Sequence, residues 1–402
     1  MTTVATGGGY KEPTRTRACS IRLPMNFPFD VVFFASKDWD SHRQRPHWVA
    51  AELARRGAQV LFVENLGTRL PHRGELRRVA AKVRRWASTS APRREHTVAP
   101  RVTVDAPLVL PLQHWPWIRR LAGWMLARRV RRRLTPRPAA RLVIWTYLPM
   151  PVIGDVARAL DADLLVFDWA DDASAHMVGA SSAQRRRVAA WEEEMLAAAD
   201  LVFVASAELL RRRKVARPNV VALPHGAPVA RESPRPNVDR GHPTIGFVGS
   251  ITEFTDLELV AELARARPGW SFVMVGPASV PLRELGAMPN VTIAGERGHD
   301  EVHGFLASFD AAIVPYRITP AIEVASPLKV HEYLAYGLPV VSVDIPEVRA
   351  LTPRVALASG PEEFLVALDR AVVKGRGPAE PSAATWEERV DEMVAHVDRA
   401  LA

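Results

Sequence analysis

Ser326-Pro-Leu-Lys-Val-His-Glu-Tyr-Leu-Ala-Tyr-Gly-Leu-Pro-Val-Val-Ser-Val343 reads as a short helix that runs directly into a buried strand. Ser326 has the side chain of an N-cap, Pro327 suits the first helical position, and Gly337 ends the helix before the strand Val340–Val343. Such a helix start presents free backbone N–H groups and the positive end of the helix dipole, which together favour an anion. Lys329 sits in that first turn, and Glu332, three residues on, shares its face. One surface therefore offers a cation for a diphosphate and a carboxylate for sugar or ribose hydroxyls. On an arbitrary exposed helix the same two residues would be a solvated pair worth ~0.3–0.5 kcal/mol.

Working outward, short apolar runs alternate with longer periodic segments on both sides of this stretch, the pattern of βα units around parallel sheets. Thr244–Val248, Phe272–Val275, Val291–Ile293 and Ala311–Val314 precede it as strands, and an earlier series comprises Asp30–Ala35, Val60–Val63, Leu142–Trp145, Leu164–Phe167 and Leu201–Val204. Pro46–Arg56 reads as the first helix, with Gly57 as its stop. Pro228–Pro243 carries four prolines and charges of both signs with little apolar content, which is linker composition. The expected division is a disordered tail over 1–25, a Rossmann-like domain over 26–227, a linker over 228–243, a second Rossmann-like domain over 244–385, and a C-terminal helix over 386–402. That helix has Val390, Met393, Val394 and Val397 at helical spacing and should pack on one domain or across both. Two doubly wound α/β sheets facing each other leave a cleft at the carboxyl ends of their strands, where ligands bind.

Composition excludes several classes. The 402 residues, 48% hydrophobic and 24% charged, describe an ordinary globular chain with room for more than one domain. One cysteine, Cys19, rules out an internal disulfide or a cysteine-based zinc site and points to a reducing, cytoplasmic compartment. The longest uncharged stretch, Pro268–Leu282, has 15 residues broken by three prolines and two glycines, short of the ~18–20 that span a bilayer. The net charge of +9 raises nucleic acid or an anionic membrane as partners. Only six of the 53 basic residues are lysine, so the arginine skew can equally reflect coding composition.

Ser-Pro-Leu-Lys-x-x-Glu-Tyr-Leu-Ala-x-Gly-x-Pro-Val-Val from Ser326, preceded by Phe309-Asp-Ala-Ala-Ile-Val-Pro-Tyr316, resembles the donor-binding segment of family 4 GT-B glycosyltransferases. Trp39-Asp40 with Gln44-Arg45-Pro46 resembles a stretch of their bacterial cell-surface polysaccharide subgroup. Phe167-Asp-Trp-Ala-Asp-Asp172 is similar to a segment of that subgroup and of xanthan-type glucuronosyltransferases. The resemblance implies transfer of a hexosyl or glycuronosyl unit from a nucleotide diphosphate sugar, the co-substrate, to a hydroxyl acceptor. That acceptor would be a lipid-linked or cell-surface glycan intermediate or a small glycosylated metabolite. Lys329 would contact the diphosphate and Glu332 the ribose or donor sugar, while Gly249 and Ser250 would let the backbone approach the phosphates. Glu323 precedes Glu332 with eight residues between, where the family has seven. A nucleotide-sugar epimerase of the same fold and a basic nucleic-acid-binding protein are the alternatives. The second lacks a zinc finger or an aromatic RNA-binding signature, and no nucleic-acid partner is expected.

Asp171 and Asp172 follow the strand Leu164–Phe167 at its carboxyl end, where a carboxylate could serve as general base for in-line attack; an Asx-turn is the structural alternative. Arg45 would neutralise phosphate or contact the acceptor, or simply be solvated. Asp38-Trp-Asp40 and Asp161-Ala-Asp163 spell a possible metal motif, but the first has no second carboxylate cluster nearby to complete a hard-cation site and the second spans the start of a strand, the wrong end for a site, so no metal is expected. His225-Gly226 reads as a structural turn.

Eight arginines and no acid lie between Gln113 and Arg137, and Trp117, Leu121 and Trp124 form an apolar stripe among them. Trp117, Trp124 and Arg128 are candidate contacts to an anionic membrane, the alternative being a core-packed helix with a solvated face. Arg69–Arg94, with nine bases and one acid, would extend that surface. The expected location is cytoplasmic, free or peripheral on the inner face of the membrane.

Overall fold

The structure, a computed structural model, describes residues 27–41, 43–66, 101–107, 114–134, 137, 140–215, 217–229, 241–379 and 384–402. The expected tail, most of the expected linker and the basic segment Arg69–Arg94 lie outside the described residues. Seven parallel strands form the first sheet: β1 (Phe29–Phe34), β2 (Val60–Val63), β3 (Val102–Asp105), β4 (Arg141–Thr146), β5 (Leu164–Trp169), β6 (Leu201–Val204) and β7 (Val220–Ala222). Their order is β3-β2-β1-β4-β5-β6-β7. Six more form the second: β8 (Thr244–Val248), β9 (Ser271–Val275), β10 (Val291–Gly295), β11 (Ala311–Val314), β12 (Val340–Ser342) and β13 (Val355–Leu357), ordered β10-β9-β8-β11-β12-β13.

The central strands are apolar on both faces because helices cover both faces, as parallel sheets require. β1, β2, β6, β8 and β11 are buried at every residue. The order reverses between β1 and β4 in one sheet and between β8 and β11 in the other, and crevices open beyond the carboxyl ends of strands at such points. Helices Arg45–Arg55 and Leu328–Ala335 bring their first turns to these ends.

The C-terminal helix Trp386–Leu401 buries Trp386, Val390, Met393 and Val397 in the core of the first sheet, with Phe29, Val49 and Leu53. Its entry is fixed by a capping box in which Thr385 Oγ accepts from Glu388 N at 3.2 Å and Glu388 Oε2 accepts from Thr385 N at 2.8 Å. Trp386 stacks on Trp48 with ring centroids 6.2 Å apart. The chain that ends the second sheet thus closes on the first. Polar ties join the halves elsewhere: Glu347 Oε1 accepts from Ser206 Oγ and from Glu208 N, both at 3.0 Å, and Arg212 Nη1 pairs with Glu323 Oε2 at 2.7 Å.

Candidate functional site

β8 ends at Val248, and Gly249 turns the chain at φ +143°, a conformation that side chains rarely adopt. A Cβ there would lie 2.6 Å from Lys329 Nζ and would push the ammonium aside, while the φ itself is what favours glycine. Gly276, after β9, is likewise held against the Gly249 carbonyl, which a Cβ would meet at 2.1 Å. Lys329 Nζ donates to Tyr316 Oη at 2.6 Å, stands 4.1 Å from the Phe247 ring centroid and 4.7 Å from that of Tyr316. Cation–π attraction and one phenol hold the ammonium in place. Among the described residues no carboxylate forms an ion pair with it.

The helix beneath is anchored by Tyr333, fully buried, whose hydroxyl accepts from Val248 N at 2.7 Å and donates to Val248 O at 3.2 Å. Its start differs from expectation. The N-cap is Pro327, extended at φ −72° and ψ 105°, the helix begins at Leu328, and no side chain caps it. The φ of Pro327 is one that a helix accepts, but its extended ψ keeps it outside the first turn, so Ser326 stands one residue too early to cap. The first-turn N–H groups are consequently without a side-chain partner. Ser326 instead lies beside His225, which is buried between the two halves and kept neutral by burial and by nearby Arg45.

Glu332 lies on the Lys329 side of the helix. Burial pushes its carboxyl up to about 7, against the pull of Lys329. No other described residue hydrogen-bonds that carboxyl. Ser250 follows Gly249 and is partly exposed in the same crevice. Glu323 is paired with Arg212 from the first half, away from Glu332.

Across the crevice the first sheet has a different character. Arg45, expected to meet phosphate, acceptor or solvent, is 2% exposed; its Nε donates to Asp168 Oδ1 and Oδ2 at 2.9 and 3.0 Å. Its Nη1 donates to Pro224 O at 3.2 Å, and Nη2 is buried without a partner. Proline at its helix start and the fully buried Asp168 on β5 draw the guanidinium inward. Asp172 is engaged in its own loop, its Oδ1 accepting from Ser174 Oγ at 2.7 Å and Ala175 N at 2.9 Å. Asp171 is exposed, and no other described residue hydrogen-bonds its carboxylate. The loop is propped by Glu192, which accepts from Ala173 N at 2.9 Å, Trp169 Nε1 at 3.2 Å and Arg213 Nη2 at 2.5 Å. His176 on that loop meets the ring of Phe254 from the second half edge-on, with centroids 5.4 Å apart.

Phe247, Gly276 and His176 were not singled out from the sequence, and Tyr316 and Tyr333 stood in the quoted donor-segment motifs without a role of their own. Trp117 and Trp124 are 64% and 59% exposed, and Arg128 stands over the Trp124 ring at 5.7 Å. Among the described residues no three His, Cys, Asp or Glu side chains gather as metal ligands, and no helix is long and apolar enough to cross a membrane.

Residues 242–373 match the family described as glycosyl transferases group 1. The chain has the GT-B fold, and that family's domain occupies its second sheet with the Lys329 crevice. Over 235 residues, 53% of this chain, it is 27% identical to the putative teichuronic acid biosynthesis glycosyltransferase TuaH of Bacillus subtilis (strain 168). That match spans 58% of the relative's length. Among solved structures, Anabaena HepE in complex with UDP and glucose superposes with a TM-score of 0.59 at 13% identity, over 91% of this chain and 95% of that one. The lipopolysaccharide outer core galactosyltransferase WaaB, in its apo form, gives 0.53 at 11% identity, over 93% and 99%.

Proposed function

We propose that the chain is a glycosyltransferase that moves a sugar from a nucleoside diphosphate sugar to an acceptor hydroxyl. The donor would lie against the second sheet and the acceptor against the first. One observation carries this reading: Lys329 is a half-buried ammonium positioned by two aromatic rings, beside an uncapped helix start, and among the described residues no carboxylate forms an ion pair with it. Such a group is built to receive an anion. As the bond between the anomeric carbon and the diphosphate oxygen breaks, negative charge grows on the leaving phosphate. A fixed ammonium and aligned N–H dipoles stabilise that charge without reorganising. Glu332, which no other described residue hydrogen-bonds, would accept from hydroxyls of the ribose or the sugar.

Asp171 is the proposed base for the acceptor proton, because its carboxylate is open while that of Asp172 holds the loop in place. Its expected product is inverted at the anomeric carbon. The likeness to a putative teichuronic acid biosynthesis glycosyltransferase supports a glycan intermediate, lipid-linked or otherwise, as acceptor class here. A cytoplasmic site of action, at the inner membrane face, belongs to the same reading.

The test is a thermal-shift panel of UDP, GDP, dTDP and CDP, with UDP first because the HepE structure holds it. A nucleotide that binds the native state raises the midpoint by mass action. No shift with any of the four would overturn the reading, as would turnover of the donor without an acceptor. With the acceptor identified, Asp171→Asn should lower turnover ~10²-fold with donor affinity unchanged. Full activity would remove Asp171 from the chemistry.

A further inference from the structure

Trp115, Trp117, Leu121, Trp124 and Met125 are between 51% and 64% exposed, all at or within one helix, Pro116–Arg133. Its buried face is Gly123, Leu126, Ala127 and Val130, packed toward the helix Pro151–Ala159. Small residues set that choice: a Cβ on Gly123 would come within 3.1 Å of Asp155 Cβ, so the two helices approach at this side and the tryptophans turn outward. Exposed apolar surface of this extent on one element marks a contact surface.

The arginines divide the same way. Arg119 is neutralised by Asp155 at 2.6 Å and Glu194 at 2.7 Å, and Arg129 by Asp105 at 2.7 Å. Arg120, Arg128 and Arg132, on the outward face, have no carboxylate partner among the described residues. Between Trp124, Ala127, Arg128, Arg131, Arg132 and Ala159 lies a cavity of about 330 Å³. Arg131 closes one side by donating to the Ala159 carbonyl. This recess offers guanidinium donors next to an indole, with room for a phosphodiester head group.

We infer that this face docks on an anionic phospholipid bilayer, the recess taking a lipid phosphate and the neighbouring tryptophans, Leu121 and Met125 entering the interface. Indoles prefer the head-group level, and arginines without carboxylate partners complement anionic lipid. A nucleic-acid strand would leave Leu121 and Met125 in water, so the bilayer accounts for more of the surface. The helix follows β3, so its first turn, with Trp115 and Trp117, lies toward the carboxyl ends of the strands, and the recess lies toward its other end. The inference does not depend on the transferase reading.

The experiment is co-sedimentation of the full chain with vesicles of phosphatidylcholine alone or mixed with phosphatidylglycerol. The mixed vesicles should bind at least about tenfold more tightly, with the advantage shrinking in high salt. Trp117→Ala with Trp124→Ala, and separately Arg128→Glu with Arg132→Glu, should each remove most of the binding. These side chains are exposed, and unchanged melting by circular dichroism establishes that the variants fold. Equal binding to both vesicles, no binding to either, or indifference to both variant pairs would overturn the inference. Release from vesicles by glycerol 3-phosphate would reassign the recess to a soluble phosphate. A dimer in solution that Trp124→Ala dissociates would reassign the face to a second copy.

Discussion

The two sheet ends that face the crevice use cations in opposite ways. At the end of β8, Lys329 is held by rings and a phenol, and among the described residues no carboxylate pairs with it. At the end of β5, Arg45 and Asp168 neutralise each other at 2.9 Å, 2% and 0% exposed. The first arrangement leaves a net charge facing the crevice. The second turns an equally polar pair into architecture, joining the first helix to β5. A cation near a sheet end is therefore informative about ligands only once its counter-charge is known.

Breaking the buried pair should have the largest effect. Asp168→Ala leaves a guanidinium buried without its carboxylate, a change that typically costs about 3–5 kcal/mol. The expected outcome is a large fall in the denaturant midpoint. Replacing both partners by apolar residues should cost far less, and an equal loss in the double variant would mean that packing, not charge, holds this region. Lys329→Ala is the converse experiment. It should weaken nucleoside diphosphate binding by about 2–3 kcal/mol, while stability moves by about 1 kcal/mol or less. Calorimetric titration beside a melting curve separates the two, and unchanged affinity would remove Lys329 from the site. Gly249→Ala lies between them. The added methyl at φ +143° must displace the ammonium, so both stability and affinity should fall, each by roughly 1–2 kcal/mol.

Much of this was legible in the sequence, and the boundary of legibility is physical. Thr244–Val248, Leu201–Val204 and Ala311–Val314 were readable to the residue because a strand buried on both faces is an unbroken apolar run. Val102–Asp105 was not, since its middle residues are only half buried and an edge strand loses that signature. Lys329 and Glu332 stood out because their spacing is local to one helix. Phe247, on β8, and Tyr316, two residues past the end of β11, reach the ammonium from adjacent strand ends, a relation set by the order of the second sheet. Arg45 and Asp168 are 123 residues apart, and nothing along the chain announces that β5 will meet the first helix. The Trp117–Leu121–Trp124 stripe showed a helix, but not which face was buried. Gly123 and Ala127 decided that.

The smallest effect is also the sharpest form of the comparison, because each half holds one buried carboxyl near neutrality. Burial raises Glu192 and Glu332 alike to about 7. Glu192 receives three hydrogen bonds, from Trp169, Ala173 and Arg213, whereas Glu332 receives none from the described residues. For either group the unfolded chain releases its proton near 4.5 and the folded chain only near 7. The unfolded state thus binds fewer protons across that window, and each group lowers stability as pH rises through it. His47 and His331, lowered by burial to about 4, act oppositely: below 6.5 the unfolded state takes up protons that the folded state refuses. His225, likewise lowered by burial, adds to the histidine side, so three groups against two should make the wild-type stability rise with pH from 4.5 to 6.5. Glu332→Gln removes one falling contribution, so its stability relative to wild type should climb with pH. Since the side chain is partly open to solvent, the gain by pH 7.5 is on the order of 1 kcal/mol. Glu192→Gln forfeits charge-assisted bonds and should be destabilised at pH 7.5 instead. Denaturation curves at pH 5 and pH 7.5 distinguish the two; a loss in both variants would make Glu332 a structural carboxyl like its counterpart, leaving no carboxylate on the donor side free to accept a ligand hydroxyl.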